Sequence, residues 1–330
     1  MTAHVQPAGD GAPLPATNGT VPHPHALTNG TGTQPQTTSS LQQHHFPDVC
    51  YELSSKIRAF LAEDIPASNK LLHNVQSQVR VSVDVIEQAL RRYSLDQISL
   101  SYNGGKDCLV LLILILACLP VCNERATGAE AQAQSDSSKE SSSFSSPTAT
   151  PSSSETTTPR PFQAIYIVPP DPFPEVDDFV DQSTADYHLD LARYPMAMRA
   201  ALDAYLADRP AVRAIFMGTR RTDPHGEFLT HFTPTDPGWP QFMRIHPVID
   251  WHYAEIWAFI RHFDIPFCSL YNRGFTSLGG TTDTRPNPVL AKTKASKTDD
   301  DDTSGASTPT SFRPAYELMD DDEERLGRGK

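Results

Sequence analysis

Ser101-Tyr102-Asn103-Gly104-Gly105-Lys106-Asp107 lies at the junction between an apolar strand and an apolar helix, and it decides the fold. Residues 97–100 before it have the pattern of a short buried strand, and residues 108–119 after it are almost wholly apolar and long enough for a core helix. Paired glycines let the backbone approach a ligand closely, and amides at a helix N-terminus carry partial positive charge. The segment therefore predicts a phosphate-binding turn of an α/β protein, to which Lys106 adds a full charge.

The segment does not match a Walker A loop, which has a Gly five residues before its Gly-Lys pair and Ser or Thr after the Lys. Leu100 and Asp107 occupy those positions here. The run Ser-x-Gly-Gly-Lys-Asp instead resembles the pyrophosphate loop of enzymes that cleave ATP at its α-phosphate. The alternative is a structural turn that uses glycine for its geometry and binds nothing, but Lys and Asp directly after the glycines favour the phosphate loop.

Much of the 330-residue chain cannot pack into a core. Residues 1–47 are rich in Pro, Gly, Thr, Asn and His, residues 123–160 are dominated by Ser and Thr, and residues 292–312 include an acidic run. Such segments bury too little apolar surface to offset chain entropy, so we expect a disordered N-terminus and two low-complexity insertions. The rest of residues 48–330 is enough for one compact domain.

Charge and hydropathy exclude several classes of partner. The formal net charge of −13 and the lack of a basic run argue against general nucleic-acid binding. The longest apolar run, residues 109–119, is far too short to span a bilayer, so we expect no membrane partner. No Lys or Arg precedes Lys56 and no apolar signal region is present, which predicts a cytoplasmic protein.

The cysteines and histidines show no metal-site pattern. The five cysteines include no Cys-x-x-Cys pair, and the histidines are scattered or lie near the N-terminus. We therefore expect reduced, structural thiols at all five positions, which are Cys50, Cys108, Cys118, Cys122 and Cys268.

Strands and helices alternate along the predicted ordered part. The patterns predict helices at 49–61, 75–93, 175–187, 195–207 and 253–263, and further strands at 163–168, 189–191 and 214–217. This alternation predicts a doubly wound, mainly parallel α/β sheet of Rossmann-like type, whose ligand crevice lies at the carboxyl ends of the strands. The loops 102–107, 169–173 and 218–224 should converge there.

The loop at 218–224 carries two arginines beside a carboxylate. Arg220 and Arg221 precede Asp223, and a guanidinium can hold a phosphate by two parallel hydrogen bonds. The alternative is a pair of surface arginines whose charges are solvated or paired.

Taken together, the motifs resemble those of eukaryotic FAD synthases, the FMN adenylyltransferases related to phosphoadenylyl-sulfate reductases. The resemblance covers nearly the whole predicted ordered part, in order. It is carried by residues 103–107, 168–175, 218–224, 234–236, 239–240, 247–251, 270–279, 286–288 and 314–328. It implies an adenine-nucleotide-hydrolase-like domain with a C-terminal flavin-binding extension. It also implies a nucleotidyltransferase that uses Mg²⁺ and ATP to convert FMN into FAD, releasing pyrophosphate.

The resemblance also implies roles for individual residues. ATP and its phosphates would be bound by Ser101, Tyr102, Asn103, Gly104, Gly105, Lys106, Asp107, Ile167, Gly218 and Arg220. The flavin would be bound by Asp236, Trp239, Arg244, Arg325 and Arg328, with Trp239 offering a stacking face. The catalytic residues would be Asn103, Asp107, Asp223 and Arg244. Asp107 and Asp223 are the candidate metal ligands, although either could serve only to orient Lys or Arg side chains.

Asn103 departs from related pyrophosphate loops, which usually carry Ser at this position. A neutral amide can donate a hydrogen bond to the α-phosphate. The alternative is that Asn was selected because it tolerates the left-handed geometry of a turn. The family resemblance favours the catalytic role.

Three alternatives to FAD synthesis use the same loop differently. A phosphoadenylyl-sulfate reductase needs a reactive C-terminal cysteine, and no cysteine follows Cys268. A tRNA-modifying enzyme would need paired cysteines or a basic face. A non-catalytic flavin- or nucleotide-binding module would be expected to have a degraded loop. The sequence is compatible with a monomer and with transient contact to flavin-requiring apoenzymes, but it determines neither.

Overall fold

A computed structural model of the chain describes residues 45–120, 160–292 and 311–329. Apart from their ends, the predicted N-terminal segment and both insertions lie outside these residues, as does Cys122. Two corrections apply to the ends. The first helix already begins at Phe46, inside the segment 1–47 that we expected to be disordered. Phe312, which we assigned to the second insertion, packs against the core.

Six α-helices flank the sheet within residues 45–120, 160–292 and 311–329. In chain order they are α1 (Phe46–Ala62), α2 (Lys70–Arg92), α3 (106–120), α4 (Pro174–Asp186), α5 (Met198–Asp208) and α6 (Tyr253–His262). Short 3₁₀ helices follow at Ser269–Arg273, Pro288–Leu290, Ala315–Glu317 and Asp321–Gly327. Every residue from 108 to 120 of α3 is buried, as its apolar sequence predicts. No helix within the described ranges is both long and apolar enough to cross a membrane.

The part of the chain that the structure describes contains six strands, which form one sheet. They are β1 (Ile98–Ser101), β2 (Phe162–Ile167), β3 (Leu189–Tyr194), β4 (Ala214–Phe216), β5 (Phe232–Pro234) and β6 (Met243–Ile245). Their order across the sheet is β3-β2-β1-β4-β6-β5, and all neighbours are parallel except β5 and β6. The mainly parallel α/β fold is therefore confirmed.

Alternate side chains of the central strands face different helices, as the period of a strand requires. Ala164 and Phe216 belong to the main core with α1, α2, α3, α4 and α6. Ile165 and Ile215 face α5 on the other side of the sheet. Helices thus cover both faces, which is the doubly wound arrangement that the alternating elements predict.

Two element predictions needed correction. The strand predicted at 189–191 extends to Tyr194, because every residue of β3 pairs with β2. This extension delays the next helix, α5, from the predicted start at Pro195 to Met198. The sequence patterns also missed β5 and β6, which are three residues long each.

The two ends of the segment 293–310 lie side by side. Lys292 N donates to Ser311 O at 3.0 Å, and Ala291 forms an isolated antiparallel bridge with Phe312. The chain therefore leaves and rejoins the domain at one point, as expected of an insertion.

Candidate active site

The strand order places the candidate site between β1 and β4. The chain moves outward from β1 to β2 and β3 and then returns to β4 on the other side of β1. In open parallel sheets, such a reversal creates a crevice at the carboxyl ends of the two strands. Residues 102–107 follow β1 and residues 218–224 follow β4, so two of the three predicted loops meet at this crevice.

Both glycines of the phosphate loop are required by its geometry. Gly104 has a φ of +71°, and a Cβ at this position would lie 2.8 Å from Val180 of α4. A Cβ on Gly105 would lie 2.9 Å from Asn103 Oδ1, which accepts a hydrogen bond from the Gly105 amide at 3.0 Å. The loop thus combines a left-handed turn with a side-chain cap that Asn103 provides.

The Gly105 and Lys106 amides already donate hydrogen bonds, whereas the next two amides have no partner within the helix. Gly105 N is already bonded to Asn103, and Lys106 N donates to the Tyr271 hydroxyl at 2.8 Å. The first intrahelical bond of α3 runs from Leu109 N to Gly105 O. The amides of Asp107 and Cys108 lie in the intervening first turn, where helix amides have no partner within the helix. The amides of Asp107 and Cys108 are therefore the loop's candidates for binding a phosphate, and the wider cradle at residues 103–107 stays a prediction.

Gly218 is the point where the two loops touch. A Cβ on Gly218 would lie 2.8 Å from Cys108 N and 3.0 Å from Cys108 Cα. Only a residue without a side chain lets the end of β4 approach the first turn of α3 so closely. The backbone nitrogen of Cys108 therefore lies beside the position that a methyl group on residue 218 would fill.

The side chain of Lys106 points into the protein. It is 2% exposed, and its ammonium pairs with Asp107 at 3.0 Å and with Glu324 in a short contact. Burial lowers the pKa of Lys106, but Asp107 and Glu324 outweigh this effect and the pKa lies above its usual value. That this ammonium holds ATP phosphates stays a prediction; in this structure it pairs with two carboxylates.

Arg220 is also buried and paired. Its side chain is 0% exposed; its Nε lies 2.8 Å from Asp107 Oδ1, its Nη1 lies 3.2 Å from Asp321 Oδ1, and its Nη2 contacts Glu324. Burial raises the pKa of the Asp107 carboxyl, whereas the facing Arg220 and Lys106 hold the pKa below its usual value overall. Lys106, Asp107, Arg220, Asp321 and Glu324 form one network, which we call the buried ion cluster.

The two candidate metal ligands differ in their surroundings. Asp107 directs one oxygen at Lys106 and the other at Arg220, which is the orienting role that the sequence left open. Asp223 Oδ2 accepts a hydrogen bond from the Arg220 amide at 2.8 Å, and the other carboxylate oxygen of Asp223 takes no part in this bond. Within the described ranges, no three His, Cys, Asp or Glu side chains are grouped as a metal site. Of the two carboxylates, Asp223 therefore fits a divalent cation and Asp107 does not.

The three candidate flavin residues on the β5–β6 hairpin lie together. Arg244 Nη2 donates to Pro234 O at 2.9 Å and lies 3.4 Å from Asp236 Oδ1. Trp239 follows in the same turn, and its side chain is partly exposed at 38%. Because β6 runs parallel to β4, this turn leaves from the edge opposite the phosphate loop. The structure thus brings these three residues together, but it does not place them beside residues 102–107.

The two tail arginines have different environments. Arg325 is exposed on the 3₁₀ helix Asp321–Gly327. Arg328 pairs with Asp283 at 2.9 Å and forms a bridge with Thr284. Arg328 is therefore held against the segment 279–287, and Arg325 is the arginine that faces solvent.

Three other candidates occupy the strand ends. The side chain of Tyr102 is buried, and its hydroxyl donates to Ser183 Oγ at 2.8 Å. Ser101 ends β1 and Ile167 ends β2, where both are partly buried at the carboxyl edge. Tyr102 therefore contributes only its backbone to the crevice.

The sequence analysis missed the residues that complete the ion cluster. Asp321 and Glu324 come from the tail, and neither was among the candidate site residues. Tyr271, which accepts from the Lys106 amide beside the cluster, comes from residues 270–279, for which the sequence analysis named no site residue. The acidic run before Arg325 was visible in the sequence, but a solvated acidic run looks the same. Only the position of the tail in the folded protein distinguishes a solvated acidic run from one that enters a buried ion cluster.

Comparison with known proteins gives one consistent result. A family profile for the phosphoadenosine phosphosulfate reductase domain matches residues 195–286. A probable FAD synthase of Schizosaccharomyces pombe is 36% identical over 262 residues, which cover 79% of this chain and 83% of the relative. The flavin adenine dinucleotide synthase of Saccharomyces cerevisiae is 30% identical over 256 residues, covering 74% of this chain and 76% of the relative.

A solved structure shares the fold over most of the chain. The FMN adenylyltransferase of Candida glabrata, in complex with FAD and inorganic pyrophosphate, matches with a TM-score of 0.67 at 28% identity. The match covers 86% of this chain and 96% of that chain. The likeness thus covers most of both chains, whereas the profile for the phosphoadenosine phosphosulfate reductase domain matches residues 195–286. The chain belongs to the family of FAD synthases, the FMN adenylyltransferases.

Proposed function

We propose that this protein is an FMN adenylyltransferase, which transfers the AMP moiety of ATP to the phosphate of FMN and yields FAD and pyrophosphate. The observation that carries the proposal is the first turn of α3, whose amides have no partner within the helix and whose Cys108 N lies beside Gly218 at the switch point of the sheet. Amides at a helix N-terminus bind phosphate well. Membership of the FAD synthase family supports the same activity.

The chemistry needs positioning more than acid–base catalysis. A phosphate oxygen of FMN attacks the α-phosphorus of ATP, and the bond between that phosphorus and the oxygen bridging to the β-phosphate breaks. The attacking oxygen is already anionic at neutral pH, so no proton has to be removed. The protein must hold two polyanions in line and stabilise the charge on the departing pyrophosphate.

Asn103 would contact the reacting phosphate. Its Oδ1 accepts hydrogen bonds from the Gly105 amide at 3.0 Å and from Cys108 Sγ at 2.8 Å. With the oxygen turned into the loop, the NH₂ group is the part of the carboxamide that can donate to the α-phosphate. Lys106, Asp107 and Arg220 then act from behind the loop, and Gly218 leaves room for the phosphates.

Magnesium is part of the proposal. Mg²⁺ binds through one or two carboxylates together with substrate phosphates, and it would neutralise charge on the leaving pyrophosphate. Asp223 is the carboxylate that would hold it, because the bond to the Arg220 amide uses only one of its two oxygens. Asp107, which both cations of the cluster engage, would not.

The flavin would bind between the tail and the hairpin. Arg325 and Arg328 would hold the FMN phosphate or the flavin from the tail, and Asp236, Trp239 and Arg244 would surround the isoalloxazine ring and its ribityl chain. The hairpin strands have three residues each, so they span roughly 10 Å. Because β6 also lies two strands away from β1, about 10 Å across the sheet, FMN would have to span both distances.

The test is direct. Purified full-length protein with Mg²⁺, ATP and FMN should form FAD and pyrophosphate in equal amounts, which chromatography and a pyrophosphate assay can measure. Asn103→Ala should lower turnover more than it weakens ATP binding. A non-catalytic binding module would bind both nucleotides and form neither product, and that result would refute the proposal.

Three further expectations remain proposals. We propose that residues 48–330 act as one catalytic domain, that the protein acts in the cytoplasm, and that it makes transient contact with flavin-requiring apoenzymes.

A further inference from the structure

A carboxylate from the C-terminal tail ties the two loops of the crevice together. One oxygen of Glu324 accepts from Lys106 Nζ and the other accepts from Arg220 Nη2, both in short contacts. Glu324 is 4% exposed. Because Lys106 begins α3 and Arg220 follows β4, this one side chain bridges both loops.

The tail is anchored by contacts that do not involve this carboxylate. The backbone carbonyl of Glu324 accepts from Thr276 Oγ1 at 2.6 Å, and Asn287 Nδ2 donates to the same hydroxyl at 3.0 Å. Asp321 Oδ1 accepts from the Tyr253 amide at 2.6 Å, at the start of α6. Removing the charge of Glu324 should therefore loosen the loops more than it moves the tail.

The charge balance shows why a second carboxylate is needed. Lys106 and Arg220 are two buried cations, and the phosphate loop itself supplies only Asp107. Leaving a buried charge without a partner is strongly unfavourable, so either cation would move toward solvent or toward the phosphate cradle. Glu324, with Asp321 beside Arg220, prevents this movement.

We propose that Glu324 is a positioning residue, which holds Lys106 and Arg220 behind the phosphate loop and so fixes the cradle that receives ATP. The inference deepens the proposed function and uses its reaction as one readout. The opposite hypothesis is that Glu324 occupies a phosphate subsite and leaves when ATP binds. The burial of both cations and the anchoring of the tail backbone favour positioning.

The test compares Glu324→Gln with Glu323→Gln in the full chain. Glu323 is the adjacent carboxylate, and its substitution serves as the matched control. For Glu324→Gln we expect the KM for ATP to rise about tenfold and kcat to fall, because charged hydrogen bonds are lost. The KM for FMN should stay within about twofold, because the tail keeps its backbone anchors. An unchanged or lower KM for ATP would overturn the proposal, and a lower one would favour a phosphate subsite.

Thr276→Val provides a second variant if Glu324→Gln does not fold. It removes the hydroxyl that holds the Glu324 carbonyl but keeps every charge of the cluster. We expect the KM for ATP to rise in this variant too, but by less than in Glu324→Gln. An unchanged KM for ATP would count against positioning. Calorimetric titration with Mg²⁺–ATP measures nucleotide affinity without catalysis. A wild-type protein that binds ATP and forms no FAD would refute the proposed function while the titration still tests Glu324.

Discussion

Gly218→Ala should damage the ATP site through a single methyl group. A Cβ at this position would lie 2.8 Å from Cys108 N, 3.0 Å from Cys108 Cα and 3.1 Å from Cys108 Cβ. Ordinary contacts begin at 3.4 Å, so the methyl group would need about 0.6 Å of extra space. Two of the three opposing atoms are backbone atoms of α3, which is buried along its length. A flexible side chain cannot move aside here, so β4 and α3 must separate.

The size of the effect follows from this geometry. Overpacking of a dense core typically costs about 1–3 kcal/mol, and we expect that loss in the free energy of unfolding. The methyl group also covers the Cys108 amide, which we assign to the phosphates of ATP. Because misplacing reacting groups by about 1 Å can cost on the order of 100-fold, a shift of half that size should lower kcat/KM for ATP by about tenfold.

Two measurements decide the outcome. Urea unfolding gives the loss of stability, and steady-state FAD formation at saturating FMN gives kcat/KM for ATP. Gly329→Ala is the matched control, because a Cβ there would meet its neighbours at 3.4 Å or more. If Gly218→Ala matched the wild type in both measurements, the close packing of β4 on α3 and the role of the Cys108 amide would both be refuted.

Three other changes have distinct expected effects. Tyr102→Phe removes a buried hydrogen bond to Ser183 and should lower the free energy of unfolding by about 1 kcal/mol, while the KM for ATP stays unchanged in FAD assays. Cys108→Ala removes the thiol donor to Asn103 and should lower kcat about threefold, whereas Cys108→Ser keeps a donor and most of the rate. Burial lowers the pKa of His246 to about 4 from 6.5, so its contribution to stability is complete above pH 6.5 and falls as the pH drops toward 4. Between pH 6.5 and pH 5 the wild type should lose about 1.5 kcal/mol more than His246→Leu in urea unfolding, and equal losses would contradict this pKa.

Local patterns were sufficient to predict most of the framework. The apolar run of α3 allowed only a buried helix, and the paired glycines before it allowed the left-handed turn that Gly104 adopts. These signals depend only on residues a few positions apart, so they can be interpreted without knowledge of the rest of the fold. The convergence of residues 102–107 with residues 218–224 followed from the parallel sheet that such alternation predicts.

Local patterns could not predict the short strands β5 and β6 or the full length of β3. β5 and β6 have three residues each, which is too few to show a period of two, and they exist because β6 pairs with β4. The extension of β3 to Tyr194 has the same cause, since its register is defined by β2. Their stability comes from a neighbouring strand, which a local pattern does not contain.

The Ser101–Asp107 segment by itself determined a strand, a glycine turn and a helix with a phosphate-binding N-terminus. Only the tertiary structure decided where its charges go. Lys106 meets Glu324, 218 residues further along the chain, and Arg220 meets the same carboxylate. A lysine beside a glycine turn attracts any anion, so the sequence indicated a phosphate contact. The folded chain brings a tail carboxylate into the space behind the loop, and burial makes that pairing the stable one.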